Sequence, residues 1–335
     1  LSSQHCQRIM DPTSCFGVNF KFPLSFLPPV FILVFVFGLI ANGWGLNSLW
    51  RNWKKLGNVN VFILNLGIAD ILYLLTLPFL VAYYLNDRKW IFGEAFCKVT
   101  RFCFNLNLYC SIGFLTCISV YRYLAIVHPM KVQGRLTVTH SVIISAIVWI
   151  LVSLQSLPDM FFPKNSANMT LNMTLQCVDT TVIEYVEDYL QYSLIWTIIG
   201  FCIPSLITVA CYGHVIVLLC YKDNIDKVLK QRSLKLLIIL ILLFSICYIP
   251  YHVLKNFNLW SRVLSKQKIC YKWSNGVYIA QRICRGLVCL NGALNPLVYL
   301  HVDEDISAQF RQLCQRTRSI SVPVPQSEEE SVSPL

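Results

Sequence analysis

The sequence of 335 residues has little charge, since only 13% of its residues are Asp, Glu, Lys or Arg while 56% are hydrophobic. It contains no Gly-rich phosphate loop, no His-Glu-x-x-His motif and no Gly-x-Ser-x-Gly motif, which are common signatures of enzymes. No internal repeat relates its two halves, and this weakens a transporter built from inverted repeats. No polar stretch is long enough to form an independent domain. These absences argue against an enzyme. They also give no support to a soluble protein or to a transporter built from repeats.

Seven long apolar runs hold most of the hydrophobic residues, and we call them spans one to seven. They cover 26–50, 60–85, 97–127, 139–162, 190–221, 234–257 and 276–300. Each reaches the roughly 20 residues that a helix needs to cross a bilayer, and a helix satisfies its own backbone hydrogen bonds in hydrocarbon. The sequence therefore predicts an all-α membrane protein: an N-terminal segment, residues 1–25, followed by a seven-transmembrane-helix bundle, residues 26–300.

The odd number of spans places the two ends of the chain on opposite sides of the membrane. Glycosylation sequons at Asn168 and Asn172 follow span four, on the side of the N-terminus, and predict that this side is extracellular. Half of the 28 Lys and Arg residues fall on each side, so the usual cytoplasmic excess of positive charge is absent. The outer side, whose acids include Asp159, therefore carries more cations than orientation requires. This excess points to an anionic ligand.

Most of the 15 cysteines lie within the spans and are predicted to be small packing residues. Five lie on the outer side: Cys6, Cys15, Cys97, Cys177 and Cys270. A Cys97–Cys177 bond would hold the sequon loop over the bundle, and closing a loop of that length is worth about 4 kcal/mol. Cys15 and Cys270 could join the N-terminal segment to the loop after span six, which leaves Cys6 over.

Short signatures recur in order along the spans. They are Gly38-Leu-Ile-Ala-Asn42, Asn65–Asp70, Trp149, Pro204 with Tyr212, Phe244–Pro250 and Asn295-Pro296-Leu-Val-Tyr299. With this set the chain resembles the rhodopsin-like G-protein-coupled receptors over nearly its full length. The resemblance implies a multi-pass receptor of the plasma membrane that signals to a heterotrimeric G protein and also binds arrestin, with neither an enzymatic activity nor a nucleic-acid partner.

The resemblance also assigns roles to polar residues within the spans. Asp70, the only acid deep in a span, would hold a sodium ion that favours the inactive state, together with Asn107, Ser111, Asn291 and Asn295. A plain polar packing cluster is the alternative, and no other cofactor is expected. The switch towards the G protein would consist of Arg122, Tyr212, Tyr248 and Tyr299.

Two departures at the inner end affect that switch. The sequence reads Tyr121-Arg122-Tyr123 where the family usually has Asp-Arg-Tyr, and Lys230 stands near the foot of span six where an acid is common. The usual ionic latch cannot form, so we expect weaker restraint of the inactive state. Beyond span seven, residues 301–314 predict a short amphipathic eighth helix with Cys314 available for palmitoylation, and residues 315–335 predict a disordered cytoplasmic tail.

The positions that face the ligand in this family exclude two ligand classes. Phe104 stands where amine receptors have an Asp, and Cys289 stands where opsins have the Lys that binds retinal. Cations are present instead: Arg101 in span three, His252 and Lys255 in span six, and Arg282 and Arg285 in span seven. Residues three apart share a helix face. Arg binds phosphate or carboxylate through paired hydrogen bonds and Lys as a point charge, so three helices present cations for one anion.

Further stretches resemble the metabotropic purinergic nucleotide receptors, especially the branch that couples through phospholipase C. They are Leu75-Thr-Leu-Pro78, Tyr83-Tyr84, Trp90-Ile-Phe-Gly93, Cys177-Val-Asp-Thr-Thr181 and Tyr248-Ile-Pro-Tyr-His252. The resemblance implies that Arg101, Lys255 and Arg285 bind phosphates. The base, ribose or outer phosphates would contact Tyr83, Tyr109, Thr180, Asn258, Arg262, Tyr278 and Arg282. Asp179 would pair with Arg285 when no ligand is bound.

The identity of the nucleotide stays open. Val178 and Gln281 replace aromatic residues that these nucleotide receptors have, while Arg282 adds a cation that favours a triphosphate. We expect an adenine or uracil nucleotide as agonist and calcium as the signal. Receptors for small dicarboxylates share the pattern of Arg101, His252 and Arg285 and are the alternative. A transporter or channel is a remote one, since it would need a continuous polar path.

Overall fold

The computed structural model describes residues 21–51, 57–128, 136–163, 165–167, 175–177, 180–221, 235, 238–269, 271–302, 308–309 and 311–312. Some predictions concern residues outside these ranges. They are the Cys15–Cys270 pair and the leftover Cys6, both sequons (Asn168 and Asn172), Val178, Asp179, Lys230, Cys314 and the tail, residues 315–335.

Helices follow one another along the described chain and account for all seven spans. They are α1 (Lys21–Arg51), α2 (Asn58–Leu74) and α3 (Leu77–Leu85) in span two, α4 (Glu94–Val127), α5 (Val138–Phe161), α6 (Val186–Thr197) and α7 (Ile203–Tyr221) in span five, α8 (Ile249–Lys266) in span six, and α9 (Ser274–Val302). The predicted seven-helix bundle is confirmed.

Six of these spans are long and apolar enough to cross a membrane among the residues described. The seventh, α9, is also long, at 29 residues, but it carries Arg282, Arg285 and two buried asparagines. These polar side chains lower its mean hydropathy. Because α9 packs against both α1 and α8, its polar face is enclosed by the bundle and its apolar face remains for lipid.

The fourth span shows how the bundle is adapted to lipid. Its buried positions include Ser141, Ser145 and Gln155, whereas Ile150 and Leu154 are 58% and 60% exposed. In water this arrangement would be unfavourable, because polar side chains are buried and apolar side chains are exposed. In a bilayer, small polar residues let helices approach closely while apolar side chains face lipid. This pattern supports the membrane environment inferred from the apolar runs.

Prolines interrupt three of the spans. Pro78 has no backbone N–H, so the helix of span two breaks after Leu74, and the Thr76 hydroxyl donates a 2.7 Å hydrogen bond to the Tyr73 carbonyl at the break. Spans five and six each contain a π-helical turn, Ile198–Cys202 and Phe244–Tyr248, shortly before a proline. A wider turn at this point accommodates the missing donor.

Span six is longer than predicted, because α8 continues to Lys266 rather than ending at 257. Its last turns are amphipathic: Asn258, Leu259 and Ser261 are buried while Trp260 is 44% exposed. A segment that mixes polar and apolar residues does not form an apolar run in the sequence, although it packs on the bundle. The added turns carry Asn258 and Arg262, two of the predicted ligand-binding residues.

A two-stranded hairpin follows span four. Strands β1 (Asn165–Ala167) and β2 (Leu175–Cys177) are antiparallel, with Asn165 opposite Cys177. Cys177 forms a disulfide with Cys97 at the start of α4, as predicted. The eight cysteines predicted to be packing residues are free thiols. The disulfide holds the hairpin at one end of the bundle, which we call the hairpin end.

The junction after span seven differs slightly from the predicted boundary. Residues 301–302 belong to α9, and helical residues recur at 308–309 and 311–312. The Ser48 hydroxyl of α1 donates a 2.7 Å hydrogen bond to Gln309. This contact brings the segment after α9 beside the end of α1, and an amphipathic eighth helix stays a prediction.

Candidate ligand-binding site

Three buried cations meet at the hairpin end. Arg101 on α4, Lys255 on α8 and Arg285 on α9 are 1%, 5% and 2% exposed. All three line one cavity, whose other walls are Phe104, Asn105, Thr180, Tyr189, Tyr251 and Gln281. The cavity volume is about 10 Å³, roughly the room that one water molecule needs. The structure therefore brings the predicted phosphate-binding trio together in a closed arrangement.

The surroundings of these cations explain how a membrane bundle accommodates them. The Arg101 guanidinium donates a 3.0 Å hydrogen bond to the Cys177 carbonyl. The Arg285 guanidinium lies 4.8 Å from the centre of the Phe104 ring, and the Lys255 ammonium lies 5.8 Å from that of Tyr189. Aromatic faces attract cations without neutralising their charge. The ring contacts therefore stabilise Lys255 and Arg285 without themselves removing their charge.

A second group of cations and aromatic rings forms a rim beside the cavity. The Arg282 guanidinium lies 4.7 Å from the centre of the Tyr278 ring, one turn away on α9. Tyr83 packs edge-on against Trp90 at 5.7 Å, and its backbone carbonyl accepts a 2.9 Å hydrogen bond from the Arg88 N–H. We call Tyr83, Arg88, Tyr278 and Arg282 the rim. Its planar rings and guanidinium groups could stack on a flat ligand and bind further negative charge.

Arg262 connects span six to the chain that follows the hairpin. Its guanidinium donates a 2.6 Å hydrogen bond to the Thr180 hydroxyl and a 2.7 Å hydrogen bond to the Thr181 carbonyl. Thr180 itself lines the cavity. Arg262 thus acts on the cavity wall through Thr180, and a displacement of either residue would change the shape of the cavity.

His252 and Tyr109 lie outside the lining and beneath it. The His252 ring stacks on Phe201 of span five at 4.4 Å and lies 5.8 Å from the Tyr109 ring. Asn258 is buried on α8 and is not among the residues that line the cavity. Of the eleven predicted ligand-binding residues, four line the cavity directly, namely Arg101, Lys255, Arg285 and Thr180. The others form the rim, the floor or the wall behind them.

A separate polar cluster surrounds Asp70 in the middle of the bundle. Asp70 is fully buried and accepts hydrogen bonds from the Asn107 amide at 2.7 Å and the Asn295 amide at 2.9 and 3.0 Å. Asn295 also lies 3.4 Å from the Ser111 hydroxyl, and Asn291 donates to the Tyr248 hydroxyl. The structure therefore unites four of the five predicted residues by hydrogen bonds. Asn291, one turn before Asn295 on α9, contacts Tyr248 of span six.

This cluster also offers oxygen ligands for a cation. Both Asp70 oxygens and the Ser111 hydroxyl point into it, and the amide oxygens of Asn291 and Asn295 have no hydrogen-bond partner among the described residues. Hard cations prefer carboxylate, hydroxyl and carbonyl oxygens. The residues present therefore fit a sodium ion.

Of the predicted switch residues, Arg122 and Tyr212 lie towards the other end of their spans, whereas Tyr248 lies at mid-span beside Asn291. Tyr212 and Tyr248 are buried at 3% and 0% exposure, and Arg122 is half-buried near the end of α4. Tyr121, in the place of the usual acid, accepts a 3.3 Å hydrogen bond from Asn58. Tyr299 belongs to α9, and its side chain is outside the described part of the chain.

Asp159 is buried, although the sequence groups it only with the acids of the outer side. In the structure Asp159 belongs to α5, is fully buried, and accepts a 2.6 Å hydrogen bond from the Tyr189 hydroxyl. For Asp159, the sequence offered one signal, the Pro-Asp pair within an apolar run. Arg88 had none, because it lies between Asp87 and Lys89 in a turn that the sequence indicates is exposed.

Comparison with known proteins agrees with this architecture. Residues 42–299 match the model of the 7 transmembrane receptor (rhodopsin family). The chain is 36% identical over 321 residues to purinoceptor 1 of Gallus gallus, covering 96% of this chain and 88% of that relative. It is 38% identical over 300 residues to purinoceptor 1 of Homo sapiens, covering 90% and 79%. It is 33% identical over 300 residues to 2-oxoglutarate receptor 1 of Rattus norvegicus, covering 89% and 86%.

The seven spans, the disulfide and the family match define the class of this molecule. The chain belongs to the rhodopsin family of seven-transmembrane receptors. It is a multi-pass membrane receptor and not a member of an enzyme family. Among its relatives, it is similar to purinoceptor 1 over nine-tenths or more of its length.

Proposed function

We propose that this receptor is activated by an extracellular adenine or uracil nucleotide that binds at the hairpin end. The observation that carries the proposal is the meeting of Arg101, Lys255 and Arg285, from three different helices, in one cavity with an aromatic rim beside it. A charge-assisted hydrogen bond is worth about 1.5–3 kcal/mol, so three of them supply the free energy of a roughly micromolar complex. The similarity to purinoceptor 1 supports the same ligand class.

The two parts of the site match the two parts of a nucleotide. Phosphates would bind the cavity cations, with Arg paired to two oxygens at once and Lys as a point charge. The base and ribose would contact Tyr83 and Tyr278 of the rim, Thr180 and Arg262 of the wall, and Asn258 and Tyr109 outside the lining. Because the cavity holds about one water molecule, the rim side chains must turn aside for a nucleotide to enter. Binding would therefore be coupled to a movement of the rim side chains, which belong to span two, the turn after it and span seven.

A dicarboxylate is the second candidate, and one observation favours it. The chain is 33% identical to 2-oxoglutarate receptor 1, and the cation trio alone would bind two carboxylates. A dicarboxylate would leave the rim without a role, however. The aromatic rings and the additional cation Arg282 therefore favour the nucleotide.

The remainder of the molecule would carry the signal inward. A sodium ion at Asp70 would supply a positive charge that holds α2, α4 and α9 together in the inactive state. On activation Tyr248 would rearrange, and Arg122 with Tyr212 and Tyr299 would then bind a heterotrimeric G protein that activates phospholipase C and raises calcium. Arrestin would follow at the phosphorylated tail.

The proposal also includes the orientation of the receptor in the membrane and its covalent modifications. The receptor lies in the plasma membrane with its N-terminus outside, glycosylated at Asn168 and Asn172. Cys15 pairs with Cys270, and Cys314 carries a palmitoyl chain.

The test is calcium release from cells that express the chain, measured with adenine and uracil di- and triphosphates, succinate and 2-oxoglutarate. We expect a response to at least one nucleotide and little to either dicarboxylate. Arg101→Ala, Lys255→Ala and Arg285→Ala should each raise the half-maximal agonist concentration about ten-fold or more at equal surface expression. Lys89→Ala, in an exposed turn, is the control and should change little. A response to dicarboxylates alone would reject the nucleotide.

A further inference from the structure

Asp159 is a buried acid that the proposed ligand contacts leave unexplained. Among the described residues at the hairpin end, Asp87, Glu94, Glu184, Glu187 and Asp188 are exposed, whereas Asp159 is 0% exposed. Burying a carboxylate is costly unless it is hydrogen-bonded. It belongs to α5 and is not among the residues that line the cavity.

Tyr189 connects Asp159 to the cavity. Its hydroxyl donates a 2.6 Å hydrogen bond to Asp159, while its ring lines the cavity and lies 5.8 Å from the Lys255 ammonium. Tyr189 is 1% exposed and packs edge-on against Phe162 at 5.0 Å. The side chain is therefore constrained at both ends, by span four at its hydroxyl and by span six at its ring.

This arrangement has two physical consequences for Lys255. A phenol that donates to a carboxylate becomes richer in electrons, so its ring attracts a cation more strongly. A fixed ring also limits the rotamers of a long, flexible ammonium side chain, and less ordering is then required when an anion binds. Both effects act through Tyr189 and neither requires contact between Asp159 and the ligand.

We propose that Asp159 is a positioning residue that acts through Tyr189 to direct the Lys255 ammonium into the ligand cavity. The inference rests on the proposed function only in assuming that Lys255 binds an anionic agonist. It holds for a nucleotide and for a dicarboxylate alike.

The experiment is a double-mutant cycle at equal surface expression, read as the half-maximal agonist concentration for calcium release. Tyr189→Phe keeps the ring and removes the hydroxyl, and Asp159→Ala removes the acceptor. Each should raise that concentration about five-fold in the natural background and have little further effect on top of Lys255→Ala. Asp159→Asn retains an acceptor oxygen and should show a smaller loss than Asp159→Ala.

Tyr192→Phe is the matched control. The Tyr192 ring packs 5.6 Å from that of Tyr189, and its hydroxyl donates a 2.7 Å hydrogen bond to the Gln155 carbonyl, but it does not line the cavity. This variant should leave potency and its dependence on Lys255 unchanged. If Asp159→Ala fails to reach the surface, Tyr189→Phe carries the test alone, because it removes a single oxygen atom.

Two results would overturn the proposal. One is full additivity of Tyr189→Phe with Lys255→Ala, which would mean that Tyr189 acts independently of the ammonium. The other is an equal loss in Tyr192→Phe, which would indicate general packing. If only a dicarboxylate activates the natural chain, the nucleotide proposal fails, and the same cycle measured with that agonist still decides the role of Asp159.

Discussion

At the scale of single residues, the cations of the site differ in depth and so in the part of the ligand they can reach. Arg101, Lys255 and Arg285 line the closed cavity, whereas Arg282 lies in the rim against Tyr278. In the opened cavity, one phosphate more than the three cations can hold would reach the rim. Arg282 is therefore the residue expected to distinguish phosphate number.

Arg282→Gln tests that distinction. Because the variant removes a charge but keeps hydrogen-bonding capacity, potency should fall about ten-fold more for a triphosphate than for the matching diphosphate. The measurement is calcium release across both nucleotides at equal surface expression. Lys272→Gln, at an exposed position before α9, should affect neither. Equal losses for the two nucleotides would show that Arg282 does not sense the terminal phosphate.

Asp70→Asn tests the proposed sodium site. In the natural chain, replacing choline chloride by sodium chloride at constant ionic strength should weaken agonist binding, by about five-fold or more if the coupling is typical of allosteric sites. The variant removes the charge that attracts the ion, so its agonist affinity should be the same in both salts. Constant ionic strength is needed because salt also screens the ligand phosphates. Persistent sodium sensitivity in Asp70→Asn would assign the effect to another site.

At the scale of elements, the disulfide and the hairpin define the wall of the site nearest to α4. The Cys97–Cys177 bond closes a separation of 80 residues, worth about 4 kcal/mol in the chain-entropy model. The Cys177 carbonyl also accepts the hydrogen bond from Arg101. One covalent link therefore stabilises the fold and orients a cation of the cavity.

Cys97→Ser and Cys177→Ser should accordingly lower both surface expression and agonist affinity, and the double variant should be no worse than either single variant. Fluorescence thermal unfolding and ligand binding on purified receptor measure the two effects. Cys103→Ser, two turns along α4 at a free thiol, is the control. Normal affinity in a disulfide-free receptor that reaches the surface would show that the hairpin does not shape the site.

The elements also show what the sequence could and could not predict. Apolar runs predicted the seven spans because lipid requires uniform apolarity. They missed the final turns of α8, where Leu259 is buried beside the polar Asn258 and Ser261, because tertiary packing stabilises a mixed segment. The break before Pro78 follows from proline chemistry, but an apolar run alone predicts a continuous helix there.

At the scale of the whole molecule, the sequence predicted that Arg101, Lys255 and Arg285 face one cavity from three helices, and the structure places them there. The roles of Asp159 and Arg88 could not be predicted, because they depend on which neighbours the other spans supply. Asp159 reads as a surface acid until Tyr189, 30 residues away, is placed against it. The closed state of the cavity is likewise a property of packing.

The bundle as a whole therefore combines a cationic cavity at the hairpin end with a polar cluster at mid-membrane, joined by span six. Lys255 and His252 lie on α8 above the π-helical turn that contains Tyr248, and Tyr248 contacts Asn291 in the Asp70 cluster. An anion that draws Lys255 towards the cavity would act on the same helix that contacts this cluster. The central claim is that this anion is a nucleotide held by the cavity cations.

Direct binding of a labelled nucleotide to the purified receptor tests that claim most directly. We predict saturable binding to the natural chain, a dissociation constant raised about ten-fold or more in Arg101→Ala, Lys255→Ala and Arg285→Ala, and an unchanged constant in Lys89→Ala. Nucleotide binding that all three cavity variants retain at full affinity, or no nucleotide binding by a receptor that binds 2-oxoglutarate, would contradict it.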